Sequence, residues 1–308
     1  MAYLEVFQTT FALFVVIAIG FFARKKNIIG DQATVDFSRF VIRILFPIYL
    51  FQASCTYMTK DYVLTAPLYF FLNSLVIVAL FFISRSIVKL AGIHPERESA
   101  FRLCAIMGNT GFFGLSFAAS FFGPEGVIAG TLYDFGGSVP FFMILIPYLF
   151  QKDNKKNFFS IFTEPTIVAV LAGMLCGLAG IKIPGFLIPS FDMVSRIALP
   201  LALIMCGSQL AGIQTFSGHK YAQVFWVILV KMIISPVILF ALVWFLPLSA
   251  PMKQFVVLEA AMPTGISMVN FARAYNQDSD FAAISIFSTT VFSMVWLPLL
   301  MIGLSYIF

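Results

Sequence analysis

Apolar residues run along this chain in stretches of about twenty, the length a helix needs to cross a bilayer. Short gaps rich in charge, Pro or Gly separate them. By that ruler ten spans are predicted, near residues 4–23, 34–57, 63–88, 99–122, 126–150, 160–180, 187–211, 222–246, 254–273 and 281–305. No gap is long enough to hold a soluble domain. The longest polar stretch, Gln151 to Asn157, falls between spans five and six, near the midpoint of the 308 residues. It reads as a linker between two five-span repeats, residues 1–150 and 158–308.

Two pairs of unusual segments support a repeat. Arg43-Ile44-Leu45-Phe46-Pro47 returns as Arg196-Ile197-Ala198-Leu199-Pro200, an offset of 153 (196 − 43). Met107-Gly108-Asn109-Thr110-Gly111 returns, one residue shorter, as Met262-Pro263-Thr264-Gly265, an offset of 155 (262 − 107). Paired helix-breaking segments in corresponding halves are the sequence sign of a secondary transporter with a midplane site. Five spans is an odd number, so the second repeat is inverted relative to the first. The fold class expected is an all-α polytopic membrane protein: ten helices in two inverted repeats, with broken helices four and nine crossing.

Composition and charge sharpen this picture. The chain is 60% hydrophobic and 11% charged, with mean hydropathy +0.97, against roughly 25% charged in soluble domains. The net charge of +5 lies in short loops and points to topology rather than nucleic acid. Loop Lys and Arg follow the cytoplasmic side. Odd-numbered loops hold Arg24, Lys25, Lys26, Arg85, Lys89, Arg97, Lys152, Lys155, Lys156, Lys220 and Arg273; even-numbered loops hold Lys60, Lys182 and Lys253. The odd loops are therefore expected in the cytoplasm of a cell-membrane protein, with both termini outside. No basic stretch precedes the first apolar run and no small-residue cleavage site follows it, so no cleavable signal is expected. Cys55, Cys104, Cys176 and Cys206 show no C-x-x-C spacing and read as small hydrophobes. No metal-ligand cluster accompanies His94 and His219. Neither a metal nor a cofactor is expected.

The breaks are the first candidate site. Gly108-Asn109-Thr110-Gly111 disfavours regular helix, and Pro263 removes a backbone donor. Unwound backbone persists at membrane depth only inside protein or along a wet cavity. A half-helix after each break presents free N–H groups and about half a positive charge. Two such ends converging suit an anion, chiefly a carboxylate, with Asn109, Thr110 and Thr264 adding side-chain donors. The alternative is a pair of kinks that serve helix packing.

Charges within spans are costly in lipid and should face protein or water. Asp36, Arg39 and Arg43 fall at i, i+3 and i+7 in span two, and Asp192 and Arg196 at i, i+4 in span seven. They read as ion-paired faces anchoring a support domain, or as attraction for an anion. Lys231 lies too deep in span eight to snorkel. A lysine buried there needs a partner or gives up its proton. Glu259 is the first candidate partner and Asp134, beside Tyr133, the second. Lys231 either holds broken span nine in place or couples transport to protons. Gly173-x-x-x-Gly177 with Gly180 reads as a small-residue packing face. The chain carries no nucleotide loop, G-x-S-x-G elbow or HExxH, so an enzyme is not expected.

The Asn109 break, Met262-Pro263-Thr264, and the span-ten pattern of Thr289 or Thr290, Ser293 and Pro298 together resemble the auxin efflux carrier family. The resemblance extends over the whole chain. It implies crossed helices four and nine, elevator-like movement, a scaffold of spans one, two, six and seven, and a homodimer. Plant members carry Asn-Pro-Asn in helix four and a long central loop. Gly108-Asn109-Thr110 and the short linker here look more like the bacterial malate and malonate permeases. The function expected is secondary transport of a small organic anion, with Gly108, Asn109, Thr110, Gly111, Tyr133, Pro263 and Thr264 as substrate-binding residues. Two alternatives stand beside it, a sodium-coupled carrier of bile-acid type and a non-transporting sensor on a carrier fold.

Overall fold

A computed structural model of the chain describes residues 3–57, 60–150, 163–212 and 221–308. The polar linker read at 151–157 lies outside the described residues. Every regular element among them is a helix. In chain order these are α1 (Tyr3–Lys25), α2 (Asp31–Tyr57), α3 (Lys60–Leu90), α4 (Pro95–Ile106), α5 (Thr110–Phe150), α6 (Pro165–Leu178), α7 (Ile188–Ala211), α8 (Ala222–Trp244), α9 (Ala250–Ala260), α10 (Ser267–Ala274) and α11 (Ser279–Ile307).

Seven of these are long and apolar enough to cross a membrane: α1, α2, α3, α5, α7, α8 and α11. Predicted spans four and nine are interrupted, which leaves α4, α9 and α10 short. Predicted spans four and five also run together. α5 continues through a kink at Gly123, whose φ of 63° and ψ of −160° lie outside helical geometry, and Pro124 follows.

Prolines shape the long helices without ending them. Pro47, Pro147 and Pro236 each stand two residues beyond a π-helical turn, Val41–Leu45, Phe141–Leu145 and Leu229–Ile234. A proline ring crowds the carbonyl four residues back. Those carbonyls belong to Arg43, Met143 and Met232, each inside its widened turn. One extra residue per turn absorbs the clash, and such turns recur at functional sites.

Lipid gives little hydrophobic drive for helix association, so close backbone approach dominates. The most extensive helix pairs are α1 with α7, α2 with α6, and α3 with α5. A Cβ at Gly20 or at Gly207 would collide with the main chain of the opposing helix, at Ile204 and Ile17 respectively. Gly173 does the same for α6 against α2. The reading of Gly180 as part of that packing face is corrected. Its φ is +69°, nothing among the described residues lies within 4 Å of a Cβ there, and it stands just past the end of α6, where a left-handed residue closes a helix. Side-chain bonds tie α2 to α7 near both ends. Thr34 Oγ1 and Ser208 Oγ share a hydrogen at 2.7 Å, and Gln209 Nε2 donates to Ser38 Oγ at 2.8 Å. At the far end Gln52 Nε2 donates to Asp192 Oδ1 at 2.5 Å, and Ser195 Oγ donates to Gln52 Oε1 at 2.8 Å.

Candidate functional site at the helix crossing

The two breaks meet. α4 ends at Ile106, and Met107 turns to an extended conformation (φ −89°, ψ 123°). Gly108 and Thr264 form an antiparallel bridge. Asn109 N–H donates to Pro263 O at 2.7 Å, and Gly265 N–H donates to Met107 O at 3.0 Å. Each break thus supplies the partners that the other lost by leaving the helix, as buried backbone at membrane depth requires. The approach is tight. A Cβ at Gly265 would stand 3.0 Å from Gly108 O.

Side chains lock the crossing. Thr264 is fully buried; its N–H donates to Thr289 Oγ1 at 3.1 Å and its Oγ1 donates to Cys104 O at 2.9 Å. Asn109 caps the helix that follows it: Oδ1 accepts from Phe113 N at 3.4 Å, while Nδ2 reaches Cys206 Sγ at 3.5 Å. Thr110 Oγ1 donates to Asp134 Oδ1. The three side chains read in the sequence as donors for a ligand are therefore all engaged within the protein. The main chain is different. The first N–H groups of α5, on Thr110, Gly111 and Phe112, have no acceptor among the described residues, and they mark the positive end of that helix.

Buried charge collects around this end. Lys231, Glu259 and Tyr133 are 3%, 1% and 1% exposed. Lys231 sits in the π-helical turn before Pro236 and reaches the first break. A Cβ at Gly108 would lie 2.9 Å from both its Cε and its Nζ. Glu259 rests on the first turn of α5, where a Cβ at Gly114 would stand 2.5 Å from Oε2 and 2.9 Å from Oε1. A carboxylate beside a helix N-terminus is in its favourable place. The expectation that Lys231 and Glu259 close an ion pair is corrected. No salt bridge joins them, and neither Glu259 oxygen has a hydrogen-bond partner among the described residues. Each is aimed at the broken backbone instead. Asp134, the second candidate partner, is taken by Thr110. A Cβ at Gly111 would make only ordinary contact with Asp134 Oδ2, at 4.0 Å.

The scaffold charges depart from their reading in one respect. Asp36 and Arg39 pair at 3.7 Å with both side chains more than half exposed, and Arg43 is exposed as well. Asp192 is held across the helix pair by Gln52 rather than along α7 by Arg196. Gln52 and Ser195 therefore act at this end in place of an i, i+4 pair. Two cavities flank the α2/α7 pair at opposite ends. One of about 340 Å³ is lined by Arg24, Thr34, Ser38, Gln209, Asn270 and Arg273, and it reaches Ile266 just beyond the second break. The other, of about 800 Å³, is lined by Tyr49, Gln52, Lys182, Asp192, Ser195 and Arg196.

Sequence reasoning missed Gln52, Gly114 and Cys206. Gln52 and Cys206 lie in apolar runs and declare no charge. Gly114 gains meaning only from Glu259, which is distant in sequence. Thr289 was visible through the family pattern, but its bond to Thr264 was not.

Long apolar helices around a buried, polar, backbone-paired crossing define a multi-pass membrane transport protein. A model of the family described as "Membrane transport protein" matches residues 5–157 and 149–301. The chain belongs to this auxin efflux carrier-like family. Similar proteins include the "Uncharacterized transporter MJ1031" of Methanocaldococcus jannaschii, 25% identical over 299 residues, covering 92% of this chain and 94% of the relative. An "Uncharacterized transporter" of Methanothermobacter thermautotrophicus is 24% identical over 297 residues, covering 95% and 96%. The "Uncharacterized transporter YfdV" of Escherichia coli K12 is 22% identical over 305 residues, covering 92% and 94%.

Proposed function

We propose that the protein is a secondary transporter of small organic anions, mono- or dicarboxylates of the malate and malonate kind, working by elevator-like alternating access in the cell membrane. One observation carries the reading: breaks from the two halves of the chain meet and exchange backbone hydrogen bonds. Gly108 pairs with Thr264, an offset of 156 (264 − 108), beside the 153 and 155 of the sequence repeats. At that offset the bond from Asn109 to Pro263 becomes the bond from Gly265 to Met107. A pseudo-twofold axis through the bridge accounts for both. Taking α4 with the start of α5, the rest of α5 beyond Gly123, and α9 with α10 as one crossing each gives ten crossings in two inverted sets of five.

Anion preference follows from the unsatisfied N–H groups of Thr110, Gly111 and Phe112, with the Lys231 ammonium beside Gly108. A substrate carboxylate arriving there meets the same helix end that Glu259 occupies. Lys231, Glu259 and Asp134 are thus the coupling group, whose charge balance a bound anion disturbs. Lys231 also fills the role that a bound sodium ion would otherwise take. α1, α2, α6 and α7 form the fixed body and the homodimer contact, while the remainder moves. The smaller cavity is the cytoplasmic route and the larger the extracytoplasmic one, with both termini outside.

Thermal stabilisation of the purified protein tests the reading, because a ligand that binds the folded state raises its stability by mass action. A panel of carboxylates is screened with and without sodium at two pH values. Stabilisation by one carboxylate class, indifferent to sodium, is expected. A panel without any shift overturns the anion assignment.

A further inference from the structure

Two of the four cysteines lie on neighbouring helices beside the larger cavity. Cys55 stands near the end of α2 and Cys176 near the end of α6. The helices touch along Gly173, where a Cβ would fall 2.6 Å from Phe51 O, 2.7 Å from Ser54 Cβ and 3.3 Å from Cys55 N. Residues three apart share a helix face, so this backbone approach also brings Cys176 onto α2. Cys55 and Cys176 thus lie along the contact between the two helices, and both residues are half-buried. Cys55 also lines the cavity of about 800 Å³, so a dissolved reagent reaches it. Cys104 and Cys206 are buried elsewhere, against Ala282 O and the Asn109 amide.

We propose that Cys55 and Cys176 are a redox pair that closes to an intramolecular disulfide and staples α2 to α6 beside the larger cavity. A disulfide needs Cα atoms about 4.4–6.8 Å apart with Cβ atoms turned toward each other. Helices in backbone contact at a glycine one turn away, with one cysteine on each, favour that arrangement. The oxidant is a small-molecule disulfide. The Cys55 thiolate attacks one of its sulfurs, forming a mixed disulfide and expelling one thiolate. The Cys176 thiolate then attacks the Cys55 sulfur, forming the Cys55–Cys176 bond and expelling the second thiolate. The two protein thiols lose two protons and two electrons, and the oxidant ends as two thiols. On the orientation proposed above, on which this part rests, the pair opens to the extracytoplasmic side, where disulfides persist.

The test uses the purified full-length protein with glutathione disulfide, maleimide counting under denaturing conditions and peptide mass mapping. Free thiols should fall from four to two, with one cross-linked peptide joining Cys55 to Cys176. Cys55→Ser and Cys176→Ser should each stop at a glutathione adduct on the remaining partner. Four surviving thiols, a stable glutathione adduct on the wild type, or a bond involving Cys104 or Cys206 would overturn the pair. Whole cells provide the second arm. After reduction, a membrane-impermeant maleimide should label Cys55 from outside. Labelling only after permeabilisation overturns the compartment and orientation, and leaves the glutathione result to decide the pair.

Discussion

Asn109 joins two roles that substitution can separate. Its Oδ1 caps α5 through Phe113 N, and its Nδ2 is a side-chain amide donor at the break. Loss of an N-cap costs about 0.5–2 kcal/mol. The cap here is long at 3.4 Å, which favours the lower half of that range. Asn109→Ala should therefore destabilise by about 0.5–1 kcal/mol. Spread over a chain of this length, that is a melting shift of about 1–2 °C. Asn109→Ser retains a capping oxygen without the amide, so its melting temperature should return toward wild type. Asn109→Asp keeps the acceptor but places a negative charge at the proposed anion site. It should weaken the stabilising carboxylate at least about tenfold, the affinity equivalent of 1.4 kcal/mol. The assay is a melting curve for each variant, repeated across a titration of the carboxylate that stabilises the wild type. Unchanged carboxylate affinity in Asn109→Asp would remove Asn109 from the binding end. An Asn109→Ala protein as stable as wild type would sink the capping argument.

Four more outcomes follow from the same contacts. Gly265→Ala brings a Cβ to 3.0 Å from Gly108 O and should cost about 1–3 kcal/mol as overpacking; a wild-type melting curve would mean that the crossing yields. Thr289→Val removes the acceptor of the Thr264 N–H and should cost about 1–3 kcal/mol for an orphaned buried donor, read as a lowered melting temperature, whereas Thr290→Val should cost less. Lys231→Met should flatten the pH dependence of uptake into liposomes, and a profile of unchanged shape would confine Lys231 to holding the breaks in place. In a background with Cys55→Ser and Cys176→Ser, a thiol introduced by Asp153→Cys should react only with reagent that reaches the cytoplasm, and labelling of that thiol from outside reverses the topology.

The amphipathic logic of the chain was legible where one residue decides its own surroundings. Long apolar runs announced the membrane, and Pro263 and the Gly108–Gly111 stretch announced the breaks, because a missing donor or a missing Cβ acts locally. Side-chain partners were less legible. Lys231 and Glu259 are opposite charges deep within spans eight and nine, and pairing them was the natural inference. Their actual aim depends on a π-helical turn before Pro236 and on the missing side chain at Gly114. Asp192 and Arg196 have the right spacing for a helix pair, but an i, i+4 bond competes with any acceptor or donor on the neighbouring helix. Gln52 wins that competition from α2. Gly180 continued a glycine pattern in sequence, yet its positive φ serves the end of α6. Spacing thus located the elements, while tertiary approach chose the bonds.

The bonds along α2 and α7 bear on which parts move. These helices are tied at one end through Thr34, Ser38, Ser208 and Gln209, and at the other through Gln52, Asp192 and Ser195. Bonds at both ends oppose a rocking motion in which one end opens as the other closes. The cavities at those ends therefore cannot alternate by hinging α2 against α7. Under the proposed alternating access, their other walls would supply the motion. The smaller cavity is completed by Ile266, Asn270 and Arg273 on and before α10, and the larger by Pro124 at the kink in α5. Both walls continue directly from the crossing, α10 from Thr264 and the first part of α5 from Gly108. Displacement of the bridged breaks along the tied pair would carry both walls together, narrowing one cavity as it widens the other. The Gly108–Thr264 bridge would make that proposed displacement a single-body motion, since two unwound segments that supply each other's hydrogen bonds cannot part at membrane depth without orphaning both.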